Sequence, residues 1–283
     1  MSRILELYGI SCCKPDINWS NVISLQNCPY LKRKCLKVRK SEPEITIGTC
    51  SVIYGKDKKK IIICPYRLLE RKQVFVDCLH LLTLHEPGNE LHIIPEVNIP
   101  GGSVDYFLVS VKNNKVNDFV GVELQTLDTT GTVWPERQKF LREKGLTVEI
   151  NDTNSNKSFG MNWKMTAKTI LIQLHHKLET FEAINKHLVL VIQDYFLNYV
   201  RRNFQFTHIN SPARIGDPMH IHAYTLNKTN DDNYRITLCE RLSTNTEGVA
   251  KSLGLQANPK VALEKIINIL EQKITDKTLF IIE

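Results

Sequence analysis

Val104-Asp105-Tyr106-Phe107-Leu108-Val109-Ser110-Val111, the polar turn Lys112-Asn113-Asn114-Lys115 and the return Asp118-Phe119-Val120-Gly121-Val122-Glu123-Leu124-Gln125 form the stretch on which the reading of this chain turns. Two apolar runs around a short polar turn predict an antiparallel hairpin. Side chains two apart on a strand share a face, so Glu123 and Gln125 point the same way. Asp105 and Glu123 both lie far from the turn, so the hairpin can set them side by side. Charged groups inside apolar strands are costly unless they are paired or bind a metal. Two carboxylates, a side-chain amide and a backbone carbonyl make an all-oxygen donor set that suits Mg²⁺. The motif therefore suggests a hydrolytic metal centre acting on phosphate esters.

The 283 residues, 42% of them hydrophobic, suffice for one large domain or one domain plus an appendage. No run of about 18 apolar residues occurs, so no transmembrane helix is expected. Met1-Ser2-Arg3-Ile4-Leu5-Glu6 lacks the long apolar core of a secretory signal, and a cytoplasmic protein is the simplest reading. In that compartment the eight cysteines point to metal ligands or buried thiols before disulfides. The net charge of +7 is unevenly placed: residues 1–72 hold 15 Lys and Arg against 6 Asp and Glu, and the rest hold 22 against 24. That N-terminal excess either attracts a polyanion such as nucleic acid or forms a solvated basic surface.

Cys28, Cys35, Cys50 and Cys64 are separated by six, fourteen and thirteen residues, and two of them open the tripeptides Cys28-Pro29-Tyr30 and Cys64-Pro65-Tyr66. Between them lies the basic run Leu31-Lys32-Arg33-Lys34-Cys35-Leu36-Lys37-Val38-Arg39-Lys40. Four convergent thiolates would hold one tetrahedral Zn²⁺ or Fe ion; without a Cys-x-x-Cys pair, scattered structural cysteines are the other reading. Cys12, Cys13, Cys78 and Cys239 fit no such pattern, and Cys78 reads as a buried helix residue.

Taken together these features resemble the NotI family of type II restriction endonucleases. The resemblance is carried by the Cys-Pro motifs at Cys28 and Cys64, by Val38-Arg39-Lys40-Ser41 and Ile47-Gly48-Thr49-Cys50-Ser51-Val52, and by Gly121-Val122-Glu123-Leu124-Gln125-Thr126-Leu127-Asp128-Thr129-Thr130-Gly131-Thr132-Val133. It runs in order from about residue 28 to residue 142. It implies a PD-(D/E)xK nuclease fold with a rubredoxin-like iron site. By position, Asp105, Glu123 and Gln125 match the family's catalytic residues, and Cys28, Cys35, Cys50 and Cys64 match its iron ligands. Glu96, ahead of the catalytic strand, matches a further acidic residue that either binds a second metal or caps a strand. Gln125 stands where most PD-(D/E)xK enzymes have lysine. Glutamine carries no positive charge, so that role must be filled otherwise.

The chain divides into an N-terminal basic region with the four cysteines (1–65), a nuclease core (66–204) and C-terminal strands and a helix packed on the core (205–283). The expected fold class is α/β: a mixed central sheet flanked by helices, with the four-cysteine metal-binding appendage in front. Apolar spacing predicts an amphipathic helix over 66–85, strands over 91–97, 104–112 and 117–125, a long helix over 163–184, a buried strand at His187–Gln193 and a helix over 194–204. Strands at Met219–Leu226 and Tyr234–Leu242 and a helix over 259–273 complete the order. Asn151 to Lys157 reads as a polar loop. Arg137 and Gln138 open a helix that could approach DNA. His175-His176 and His220/His222 are assigned to structure, because adjacent helical positions do not face one ligand and the strand pair lacks a nearby carboxylate.

The function implied is Mg-dependent, sequence-specific cleavage of double-stranded DNA, leaving 5′-phosphate and 3′-hydroxyl ends. Because one site cuts one strand, a two-fold homodimer on a palindromic site is expected. Fe or Zn at the cysteines would be a structural staple. The alternatives are a metal-stapled DNA-binding protein without cleavage activity and a non-specific repair nuclease.

Overall fold

The computed structural model of the chain describes residues 2–148 and 159–254. The N-terminal part forms β1 (Ile4–Leu7), β2 (Ile10–Ser11), helix α1 (Trp19–Leu25), β3 (Asn27–Cys28), β4 (Arg33–Lys34), β5 (Val38–Arg39), β6 (Glu42–Thr46), β7 (Thr49–Tyr54) and β8 (Lys59–Ile62). Short helix α2 (Gln73–Val76) leads to β9 (Glu90–Ile99), β10 (Gly102–Lys112) and β11 (Lys115–Leu124). Next come β12 (Thr129–Thr130), α3 (Trp134–Glu143), β13 (Gly160–Met161) and the long α4 (Trp163–Ala183). The chain continues through β14 (His187–Gln193), α5 (Asp194–Asn203), β15 (Met219–Lys228), β16 (Tyr234–Thr244) and α6 (Thr246–Ser252). No helix among the described residues is long and apolar enough to cross a membrane.

The central sheet has the order β16-β15-β14-β11-β10-β9. Its middle, β11-β14-β15, is parallel, and its edges are antiparallel. The predicted hairpin is therefore the β10–β11 pair, with Tyr106 opposite Val122. β14 is apolar on both faces because it is covered on both. On one face Leu188, Leu190 and Ile192 pack with Ile170, Leu174, Leu178 and Phe181 of α4 and Phe196 and Leu197 of α5. On the other, Val189 and Val191 pack with Leu68, Leu69, Val74, Phe75 and Leu81.

That second covering layer departs from the helix expected over 66–85. A 3₁₀ segment, Pro65–Lys72, breaks at Glu70 (ψ 123°) and Arg71 (φ 53°), and a second one occupies Leu79–Leu81. The cause is Arg67, which is fully buried and pairs with Glu6 at 2.9 Å and with Glu70 at 2.9 Å, while donating to the Tyr234 carbonyl at 2.8 Å. These bonds hold the segment against β1 and β16 in a path no straight helix follows. Cys78 is buried as expected, in the turn after α2 rather than in a helix. The polar loop of 151–157 and the helix of 259–273 lie outside the described residues.

The N-terminal sheet, ordered β2-β1-β7-β8, joins the central sheet through Gln193. Its amide oxygen accepts from Ile62 N at 2.9 Å, and its amide nitrogen donates to the Lys60 carbonyl at 2.6 Å. Trp19 meets Phe140 edge-on with ring centroids 4.9 Å apart, so α1 and α3 close the same core.

His220 and His222 lie fully buried on β15 near His80, His187 and Arg241. Burial, then repulsion from His187, pushes His220 down to about 4, and burial, then Arg241, pushes His222 down to about 3. Both are neutral in the folded chain, whereas an unfolded histidine takes a proton near pH 6.5. The unfolded state binds more protons below that value, so stability is lost as pH falls from about 6.5 toward the folded values. Urea unfolding is therefore expected to shift to lower midpoints between pH 7 and 5, and less so in His222→Gln. An equal shift in the variant would contradict this account.

Candidate active site

The β10–β11 register carries Asp105 to the end of the hairpin beside Glu123. Asp105 Oδ2 accepts a hydrogen bond from Leu124 N at 2.8 Å, which fixes the carboxylate of one strand to the backbone of the next. Glu123 is buried, and its Oε1 accepts from Lys177 Nζ at 2.6 Å. Burial, then the charge of Asp105, pushes the Glu123 carboxyl up to about 7, against the pull of Lys177. Asp105 is likewise raised by burial, against the Leu124 N–H and Lys177, with Glu96 adding to the rise. Two desolvated carboxylates side by side call for positive charge.

Glu96 lies on β9 between Pro95 and Val97, whose partners are Tyr106 and Val104, so it stands across from Asp105. It has φ +51°, an interruption of strand geometry that sets its carboxylate apart from the ladder. Asp105 thus lies between Glu123 on one neighbouring strand and the exposed Glu96 on the other, and its carboxyl responds to the charge of Glu96. Gln125 follows on the same strand end, with its backbone N–H on the Val191 carbonyl at 3.0 Å. Its side-chain amide donates to the Thr126 carbonyl at 2.6 Å, bonding to its own backbone.

Lys177 is the residue the sequence reading missed. α4 buries Ala167, Ile170, Leu171, Leu174, Leu178 and Phe181. Lys177 sits three residues after Leu174 and four before Phe181, on that same stripe. A lone charge in an apolar stripe was the available signal. The helix reaches the site through close approaches at glycine. A Cβ on Gly101 (φ +93°) would lie 2.4 Å from the His176 carbonyl oxygen, and one on Gly121 2.5 Å from the Phe181 ring. Thr180 Oγ1 donates to the Pro100 carbonyl at 2.8 Å, pinning the β9–β10 turn to the helix.

Arg137 and Gln138 do not lie on a surface that could approach DNA. Both are buried, and Arg137 Nε donates to the Ile47 carbonyl at 2.9 Å while Nη1 donates to Gln138 Oε1 at 2.9 Å. They tie α3 to the N-terminal region. His175 is within 3.9 Å of Glu179 on its own helix.

Cys28, Cys35, Cys50 and Cys64 are all buried. Cys28 and Cys35 come from the β3–β4 ribbon and the residue following it, Cys50 from β7, and Cys64 from between β8 and the 3₁₀ segment that follows it. Cys50 Sγ donates to the Gly48 carbonyl at 3.5 Å, and Cys50 and Cys64 act on one another: Cys50 is raised, and Cys64 is pushed down to about 7 by its interaction with Cys50, against burial, with Lys37 lowering it further. Cys28 is raised by burial and senses Cys64 and Cys35. The four thiols thus share one neighbourhood, although no three His, Cys, Asp or Glu side chains among the described residues stand in an arrangement that would hold one ion. The cysteine region borders the carboxylates: Arg33 on β4 acts electrostatically on Tyr66 and Tyr106, which also sense Glu96 and Asp105. Lys32, Arg33 and Lys34 are exposed there.

No curated protein matches the chain. A family model described as "Restriction endonuclease NotI" matches residues 26–213. The match takes in Cys28, Cys35, Cys50 and Cys64, the carboxylate hairpin, the lysine-bearing helix and β14, and the chain accordingly belongs to the NotI restriction endonuclease family.

Proposed function

We propose that this restriction endonuclease cuts both strands of DNA with Mg²⁺ held by Asp105 and Glu123, in a PD-(D/E)xK site completed by Gln125. The observation that carries the reading is the pair of carboxylates on adjoining strands, Glu123 buried and Asp105 half-buried, each raised by desolvation. The residues fit the ion, because Mg²⁺ keeps several waters and needs only one or two carboxylates. When bound, it would lower the pKa of a water and stabilise charge on the phosphate. Asp105, pinned by Leu124 N–H, and Glu123, pinned by Lys177, give the two ligands fixed positions. Gln125 would turn its amide from Thr126 to orient the water, and Glu96 would either serve a second ion or cap its strand. In-line attack of water on phosphorus breaks the bond to O3′, leaving a 5′-phosphate and a 3′-hydroxyl.

The four cysteines would draw together around one Fe or Zn, a structural staple without a redox step. Their chemistry suits such an ion, since they are buried thiols with Cys64 already depressed beside Lys37. The staple would stiffen the basic run of Lys32, Arg33 and Lys34 for contact with phosphates. In a salt titration of DNA binding, each phosphate neutralised would register as a log–log slope of about −0.9. Cutting two strands with one site per chain implies a two-fold homodimer.

A plasmid digest with Mg²⁺ is expected to give discrete bands; a smear would mean a non-specific nuclease, and intact DNA would remove the cleavage reading. Asp105→Asn and Glu123→Gln should each slow cleavage by about 10³-fold or more while DNA binding persists, since a metal site supplies several kcal/mol to the transition state. Near-native cleavage by either variant would contradict the ligand assignment.

Elemental analysis should find about one Fe or Zn per chain. Cys64→Ser should lower metal content and thermal stability together, because the binding energy of such a site is also folding energy. Folded, active protein without bound metal would exclude the staple.

A further inference from the structure

We infer that Lys177 is the positioning cation of the cleavage site, supplying from α4 the positive charge that Gln125 cannot provide from β11. The inference rests on the nuclease reading above and adds to it a residue remote in sequence.

Three observations carry it. The first is the vacancy in charge on the catalytic strand: Gln125 is neutral, and its amide is taken by the Thr126 carbonyl. The second is the contact itself. Lys177 is buried on the apolar stripe of α4 and donates to Glu123 Oε1 at 2.6 Å, while its charge also reaches Asp105. An ammonium has three donors, so the bond to Glu123 uses one. The third is how tightly the backbone is arranged to place it. A Cβ on Gly101 would collide with the His176 carbonyl, one on Gly102 would lie 3.3 Å from Lys177 Cε, and one on Gly121 would strike Phe181. Turn and strand thus approach the helix on both sides of Lys177.

Stability alone does not account for this arrangement. A buried ion pair is often no more stabilising than well-packed apolar side chains of similar volume, because desolvation cancels much of the attraction. The stripe that holds Leu174, Leu178 and Phe181 would accept another apolar residue at this position. An ammonium beside the two carboxylates does something apolar packing cannot. It fixes the Glu123 carboxylate, and it places positive charge where a phosphate brought to Asp105 and Glu123 gains negative charge during attack.

The test separates cleavage from metal binding. Single-turnover cleavage at saturating Mg²⁺ and Mn²⁺ affinity by calorimetry without DNA are measured for wild type, Lys177→Gln and Lys177→Arg. Lys177→Gln should cleave about 10²- to 10³-fold more slowly, the scale seen when one charge-stabilising donor is removed, while its Mn²⁺ dissociation constant changes by less than about ten-fold. Lys177→Arg, which keeps the charge, should stay within about ten-fold of the wild-type rate, about the factor that 1.4 kcal/mol represents. Lys177→Gln cleaving at the wild-type rate would overturn the inference. So would loss of Mn²⁺ binding in step with cleavage, which would make Lys177 only a prop for the carboxylates. Should Lys177→Gln not fold, Lys177→Arg decides: folded, Mn²⁺-binding protein that cleaves more than about 10²-fold slower rules out a role for charge. A wild-type protein that cuts no DNA would sink the nuclease reading itself, a result distinct from an active Lys177→Gln.

Discussion

The 2.6 Å ion pair between Lys177 and Glu123 is the constraint around which the middle of the molecule is arranged. Both side chains are nearly inaccessible, so each charge would be costly alone, and removing either partner leaves the other buried and unpaired. The pair therefore dictates where α4 lies over the β10–β11 hairpin. Gly101 and Gly121 follow from it, because any side chain at either position would push the helix away. Asp105 follows too: fixed by Leu124 N–H, it occupies the same desolvated pocket and depends on the same positive charge. Burial lifts both carboxylates and lysine draws them back.

A second buried pair plays the corresponding part at the N-terminal end. Arg67 joins Glu6 of β1, Glu70 of its own segment and the carbonyl of Tyr234 on β16. Gln193 adds a link from β8 to the end of β14, the strand next to the one that carries Glu123. The four-cysteine region is consequently held beside the carboxylates, and the exposed Arg33 shares that side of the molecule with Glu96 and Asp105.

Most of the sheet was legible in the sequence because its pattern is set by local burial. The apolar run of β14 begins and ends where the sequence reading placed it, and α4 departs from its expected span by one residue. The carboxylates were legible for the same reason: a charge within an apolar strand is conspicuous. Lys177 was not, since a lysine on a long helix ordinarily reaches solvent and only the stripe marks it as buried. The segment after Cys64 was misread because its leucines and valines do follow helical spacing. The partners of Arg67 that break the helix lie 61 residues before it and 167 after it, beyond any local pattern. The burial of Arg137 was not legible on similar grounds, its partner Ile47 being 90 residues away.

The central claim is that the Asp105–Glu123 pocket, with Lys177 in it, is where a divalent ion is held for cleavage. Anomalous scattering from crystals grown with Mn²⁺ tests this most directly. The account predicts a peak about 2.1 Å from carboxylate oxygens of both Asp105 and Glu123, with Lys177 still bonded to Glu123. Bound Mn²⁺ found only elsewhere, with these two carboxylates contacting no ion, would contradict it.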